Sequence, residues 1–277
     1  MPRRPGGARR DGAGPALGRV PAGLLIPAAL GVAVLVVPLV GLVVETPWSS
    51  LWSRLQDSAV VSALRLSLIT ATLAMTVCLL VGVPLAWVLA RVQFRGRRLL
   101  RALVTVPLVL PPVVGGIALL VTYNRTGPLG GPVYDVVGFQ LPFSTAAVVL
   151  AQTFVALPFL VLSVEGALRS TGGPFDEVAA TLGASRWSTF RRVTLPLAGP
   201  GIASGAVLAW ARALGEFGAT ITFAGNRPDV TRTMPLEIYT TYNTDREGAL
   251  ILSLLLLVAS VAVLAGMRER WMGGAIR

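Results

Sequence analysis

Thr145-Ala-Ala-Val-Val-Leu-Ala-Gln-Thr-Phe-Val-Ala-Leu-Pro-Phe-Leu-Val-Leu-Ser-Val-Glu-Gly-Ala-Leu168 carries a single charge, Glu165, close to its end. As an α-helix it rises about 36 Å, enough to cross a bilayer core of roughly 30 Å. Backbone groups inside hydrocarbon must be satisfied within their own segment, so the run reads as a membrane-spanning helix. Five further runs have the same character, at about Ala22 to Val44, Leu66 to Ala90, Ala102 to Tyr123, Gly199 to Ala224 and Ala249 to Met267. The composition agrees: among 277 residues 54% are apolar and 13% charged, with a mean hydropathy of +0.72. A globular protein carries about 25% charged residues. The expected fold class is all-α, a polytopic transmembrane helical bundle of six spans within residues 21–277.

The net charge is +11, and all 24 cations are Arg; there is no Lys and no His. Without Lys there is no phosphate-loop lysine and no Schiff base. Without His there is no Ser-His-Asp triad and no HExxH zinc site. Work driven by ATP would therefore need another chain, and no cofactor or metal is expected on this one. Cys78 stands alone inside an apolar run and reads as a small core residue.

Arginine distribution sets the expected orientation, because cytoplasmic loops are enriched in cations. Arg3, Arg4, Arg9, Arg10 and Arg19 precede the first span, and Arg91, Arg95, Arg97, Arg98 and Arg101 follow the second. Arg169, Arg186, Arg191 and Arg192 follow the fourth, and Arg268, Arg270 and Arg277 follow the sixth. That is seventeen on one side against six on the other, where acidic residues accompany them. Both termini are accordingly expected in the cytoplasm, with residues 1–20 as an Arg-rich disordered tail. The first apolar run is longer than a signal peptide's and reads as an uncleaved anchor. Arg-only, Ala- and Gly-rich usage suits a GC-rich bacterial genome, hence a bacterial plasma membrane.

Prolines punctuate several spans: Pro27, Pro38, Pro84, Pro107, Pro111, Pro112 and Pro158. Each removes a backbone hydrogen bond and kinks its helix. Such breaks suit a bundle that flexes around a pathway, although proline is also common in ordinary membrane helices.

Between the fourth and fifth spans lies Ser170-Thr-Gly-Gly-Pro-Phe-Asp-Glu-Val-Ala-Ala-Thr-Leu-Gly-Ala-Ser-Arg-Trp-Ser-Thr-Phe-Arg-Arg-Val-Thr-Leu-Pro196. Asp176 and Glu177 fall in the first turn of a short helix, where carboxylates complement the positive end. Ala179, Ala180, Gly183 and Ala184 keep that piece thin. Gly183 ends it, Ser185 caps a second short helix, and Pro196 is expected to stop the segment before the next span. Trp187 and Phe190 share a face, with Arg186, Arg191 and Arg192 available to phosphates or acidic groups. A helix-turn-helix of this kind suits either the membrane interface or a groove on a cytoplasmic partner.

Glu177-Val-Ala, Gly183 and Val193-Thr-Leu195-Pro196 resemble the EAA-type loop of ATP-binding-cassette importer permeases, in which Glu-Ala-Ala, Gly and Ile-x-Leu-Pro recur at this spacing. The departures are Val178 for Ala and Val193 for Ile. Ala211-Arg-Ala-Leu-Gly-Glu-Phe-Gly-Ala-Thr-Ile-Thr-Phe-Ala-Gly-Asn226 and Thr231 to Tyr239 resemble permeases of the molybdate type, with sulfate and thiosulfate permeases as relatives. Val106 to Val114 and Gly127 to Gly130 are similar to the same type. The resemblance covers about Leu66 to the C-terminus. It implies a type I importer permease fold, non-catalytic, in which residues 170–196 are the coupling loop. It further implies a homodimer, two copies of a separate ATPase that uses ATP and Mg, and an extracytoplasmic molybdate-binding protein. Membrane lipids are expected partners and nucleic acid is not. The substrate would be molybdate, with tungstate and then sulfate or thiosulfate as alternatives.

Arg212 and Glu216 fall inside the fifth span. A charge at that depth costs about 2.5–3.5 kcal/mol and usually faces the bundle interior or a wet cavity. Four residues apart, the two can pair on one helix face, holding the helix in register. Alternatively that face borders a pathway, with Gly215 and Gly218 allowing close helix approach and Thr220 and Thr222 offering hydroxyls to oxyanion oxygens. A dianion must also leave the pore, which argues for few fixed cations and no tight site there. An ion-coupled secondary transporter would want a relay of buried carboxylates or histidines, and only Glu216 lies deep.

Overall fold

The computed structural model describes residues 22–170 and 174–272, and the Arg-rich tail expected at 1–20 lies outside them. Two units are distinguished. The first contains α1 (Ala22–Glu45), a helix long and apolar enough to cross a membrane and unbroken through Pro27 and Pro38.

The second unit begins at Thr46. Its helices are α2 (Leu51–Leu55), α3 (Ser58–Arg91), α4 (Arg97–Val109), α5 (Pro112–Tyr123), α6 (Gly130–Val137) and α7 (Thr145–Ser170). There follow α8 (Pro174–Thr181), α9 (Arg186–Thr189), a π-turn over Phe190–Thr194, α10 (Leu195–Leu214), α11 (Gly218–Phe223), α12 (Met234–Tyr242) and α13 (Arg246–Met272). Among the described residues five unbroken helical stretches are long and apolar enough to span, and a sixth span results if the bent pair α4 and α5 is taken as one.

The helix α7 is the hub. Its small residues Ala151 and Ala156 and its larger Leu160, Val161 and Val164 are buried against α3, α10 and α11. Helices in lipid associate by close packing and not by hydrophobic exclusion, so small residues at the crossings matter. A Cβ on Gly82 of α3 would come within 2.8 Å of Leu160, and one on Gly201 of α10 within 2.1 Å of the Ala167 Cβ. Polar links add direction: Ser163 Oγ donates to the Gly201 carbonyl at 3.0 Å, and Trp210 Nε1 to Thr72 Oγ1 at 3.3 Å. At the other end Met234 N donates to Ser67 Oγ at 2.6 Å, fixing α12 to α3. Arg54 pairs with Asp245, tying α2 to the start of α13.

Two span expectations are corrected. The third span is not one helix: α4 and α5 meet at 115°. A residue before proline is driven from helical to extended backbone. Leu110 precedes Pro111, Pro111 precedes Pro112, and both take extended ψ values, 133° and 132°. The fifth span does not run from Gly199 to Ala224. It extends from Arg186 through the π-turn to Leu214 and breaks before α11. Nor does Pro196 stop it. In the π-turn Leu195 N–H reaches back five residues to the Phe190 carbonyl, and this wider turn accommodates a proline that lacks a donor of its own.

Candidate functional site

Of the residues expected in the coupling loop, Asp176, Glu177 and Ala180 stand on α8, their side chains outside the described part. The helix ends at Thr181, and Gly183 just beyond it has a φ of +78°, the left-handed conformation that side chains resist, while the space around its Cα is open. Ala184 N–H donates to the Ala179 carbonyl at 3.0 Å, closing that end. Ser185 Oγ accepts the Ser188 N–H at 3.2 Å, so the expected cap of the second short helix is present.

The loop presents two characters. Leu182 is 81% exposed and Trp187 70%, with Phe175 and Val178 also exposed, an apolar surface left uncovered among the described residues. Phe190 instead turns inward, edge-on to Trp87 of α3 at 5.9 Å and stacked on Trp187 at 5.6 Å. Leu195 packs against the core of α3, α7 and α10, Pro196 is exposed, and Arg191 and Arg192 are exposed. The loop is thus fastened to α3 at one side and continuous with α10 at the other.

The pathway candidates gather where α10 gives way to α11. Arg212 and Glu216 pair at 2.6 Å, but across the break and not along one helix face. The second Glu216 oxygen accepts the Ala219 N–H at 2.8 Å and so caps α11, which is why the chain can restart a helix there. Glu216 is 1% exposed. Gly215 caps the end of α10, and a Cβ on it would meet only the Ala211 carbonyl of its own helix, so no other described helix lies against it. Gly218 does: a Cβ there would lie 2.9 Å from Pro112. The closest approach was missed by sequence reasoning, since Gly116 of α5 leaves only 1.8 Å between a would-be Cβ and Thr222 Oγ1. Thr222 Oγ1 is occupied by the Gly218 carbonyl at 2.9 Å, whereas Thr220 Oγ1 is buried without a hydrogen-bond partner.

Sequence reasoning expected the pairing of Glu165 with Arg169 but missed Gln152, the second partner of Glu165 and the contacts of Arg232. Gln152, 0% exposed in mid α7, has both amide atoms unpartnered. The signal was available, for it is the one amide side chain within the apolar spans. Glu165 pairs with Arg169, as snorkelling arguments suggest, at 2.7 Å, and also with Arg101 of α4 at 2.5 Å. Arg232 donates to Asn226 Oδ1 at 2.8 Å and faces Glu237 at 3.4 Å, in the connection before α12. Among the described residues no cluster suited to a metal ion occurs.

Comparison with known proteins places this architecture. The profile of the binding-protein-dependent transport system inner membrane component family matches residues 82–271. The chain is 51% identical over 251 residues to the molybdenum transport system permease protein ModB of Mycobacterium tuberculosis, covering 91% of this chain and 95% of that one. It is 41% identical over 210 residues to the Escherichia coli K12 protein of the same name, covering 76% and 92%. A probable sulfate transport system permease of Anthoceros angustus is 33% identical over 234 residues, covering 83% and 81%. Among solved structures, a bacterial ABC transporter involved in import of the acidic polysaccharide alginate superposes with a TM-score of 0.73 at 17% identity, covering 90% and 94% of the two chains. The MetNI methionine ABC transporter, in an inward-facing conformation, gives 0.55 at 20% identity, covering 79% and 95%. These two likenesses establish the fold.

Proposed function

The chain belongs to the binding-protein-dependent transport system inner membrane component family, and from that premise we propose that it is the membrane permease of an ATP-driven importer for molybdate or the isostructural tungstate. The observation that carries the substrate is the 51% identity to a molybdenum permease across 95% of its length. The chain is the non-catalytic subunit, and a separate ATPase hydrolyses ATP. Two copies of the permease enclose the pathway, each holding one ATPase through residues 174–196, and an extracytoplasmic binding protein delivers the anion.

The exposed apolar surface of Phe175, Val178, Leu182 and Trp187 supports the docking role, because patches of this kind mark contact sites. Continuity from Arg186 to Leu214 supports coupling: the loop runs into α10 through an unbroken helical stretch along which its displacement is carried. At the far end of α10 lie Arg212, Glu216 and the α5–α11 contact, which we assign to the pathway wall and its gate. Movement of the two halves between inward-open and outward-open states is then a rigid-body switch. The paired Arg212 leaves no bare cation to trap a dianion.

The test is uptake by proteoliposomes that contain this chain, its ATPase and its binding protein. Molybdate uptake that requires all three together with ATP is the expected result. Uptake without the ATPase would overturn the reading in favour of a secondary carrier. Sulfate uptake that molybdate does not compete against would move the chain to the sulfate branch.

A further inference from the structure

Pro84, Trp87, Val88 and Arg91 lie at i, i+3, i+4 and i+7 along the last turns of α3 and so share one face. That face looks onto α9 and the π-turn, and two adjoining clefts open between them. One, of about 340 Å³, is lined by Pro84, Trp87, Val88, Arg186, Trp187 and Phe190. The other, of about 450 Å³, continues past Trp87, Arg186 and Phe190 to Arg91, Gln93 and Thr194. Arg186 thus lines both clefts, and the second adds Arg91 at the end of the helix. From Pro84 to Arg91 the rise is about 10 Å, the distance over which a membrane passes from hydrocarbon to headgroup.

We propose that the paired clefts seat one anionic phospholipid from the surrounding leaflet. Its phosphate lies between Arg91 and Arg186, and one acyl chain runs along Pro84, Val88 and the face of Trp187. Tryptophan and arginine are the side chains suited to this depth, the first by its amphipathic ring and the second by its snorkelling guanidinium. Basic pockets between spans select anionic headgroups for the same electrostatic reason. The apolar cleft has as one wall Pro84, Trp87 and Val88 of α3, a helix long and apolar enough to span, and as the other Arg186, Trp187 and Phe190 of the loop. The consequence is functional, since Trp187 and Phe190 sit in the loop proposed to transmit the ATPase stroke. A lipid there would wedge that loop against α3.

The test is native mass spectrometry of the full chain in detergent, titrated with phosphatidylglycerol or with phosphatidylcholine. The first phosphatidylglycerol is expected to bind about tenfold more tightly than phosphatidylcholine, and Arg186→Gln to weaken it about fivefold, since one cation near an anionic headgroup is worth about 1 kcal/mol. Arg186 is exposed, so this variant is expected to fold with an unchanged thermal midpoint. Trp187→Ala supplies a second, uncharged variant that should weaken both lipids alike. Equal affinity for the two lipids, or unchanged binding in both variants, would overturn the proposal. So would displacement by soluble glycerol 3-phosphate, which would mark a free phosphate site, or by added ATPase subunit, which would mark a protein groove. This test does not involve the transported anion, so its failure would leave the importer reading intact.

Discussion

Arg212 Nη2 lies 2.6 Å from Glu216 Oε2, and the pair bridges the end of one helix and the start of the next. Glu216 is almost wholly buried and does two jobs, balancing the Arg212 charge and capping α11.

Removing one member strands the other in a poor solvent, a loss of about 3–5 kcal/mol for a buried pair. Arg212→Gln should therefore lower the thermal midpoint sharply. Glu216→Gln should cost less, because the amide oxygen still accepts the Ala219 N–H. In the double variant most of the stability returns. If uptake returns with it, the pair is a structural fastener. Lost uptake in a stable double variant places the pair in the pathway wall.

Gly183 offers a second separation of causes. Its positive φ penalises any side chain by about 1–2 kcal/mol, and asparagine least. Gly183→Ala should reduce ATPase-coupled uptake more than Gly183→Asn, although asparagine is the larger residue. The opposite order, measured with equal amounts of each variant in the membrane, would mean that the partner's close approach is what requires glycine.

Gln152 carries the third prediction. A buried amide without partners costs about 1–3 kcal/mol, which an apolar replacement of similar shape recovers. Gln152→Leu should raise the thermal midpoint of the detergent-solubilised chain. A fall would mean that the amide is hydrogen-bonded in the membrane. A functional need for the group would appear separately, as lost uptake in the more stable variant.

Much of this architecture was legible in the amino-acid order, because the length of an apolar run is a local property. The two short helices of the loop and their punctuation at Gly183 and Ser185 followed from propensity and capping alone. The errors came where two local rules competed. Pro196 looked like a stop because a proline in a regular α-helix clashes with the preceding turn, and the wide turn at Phe190–Thr194 removes that conflict. Apolar content favoured a fifth span continuing to Ala224, while Gly215 and the capping carboxylate of Glu216 favoured a break. Gly116 and Arg101 gave no local sign of their partners, Thr222 and Glu165, which are far away in the chain.

The consecutive prolines at 111 and 112 have a mechanical meaning beyond the bend itself. With Leu110 and Pro111 both extended, the helical hydrogen-bond ladder is interrupted between the two rods, so torque applied to one is poorly transmitted to the other. The rod before the joint is anchored by Arg101 to the hub helix, and the one after it is clasped to the short helix that begins at Gly218. If α4 and α5 together form the third span, the proposed role of Glu216 in the pathway wall would make their junction a universal joint, with the part beside Glu216 free to tilt while the end held by Arg101 stays clamped.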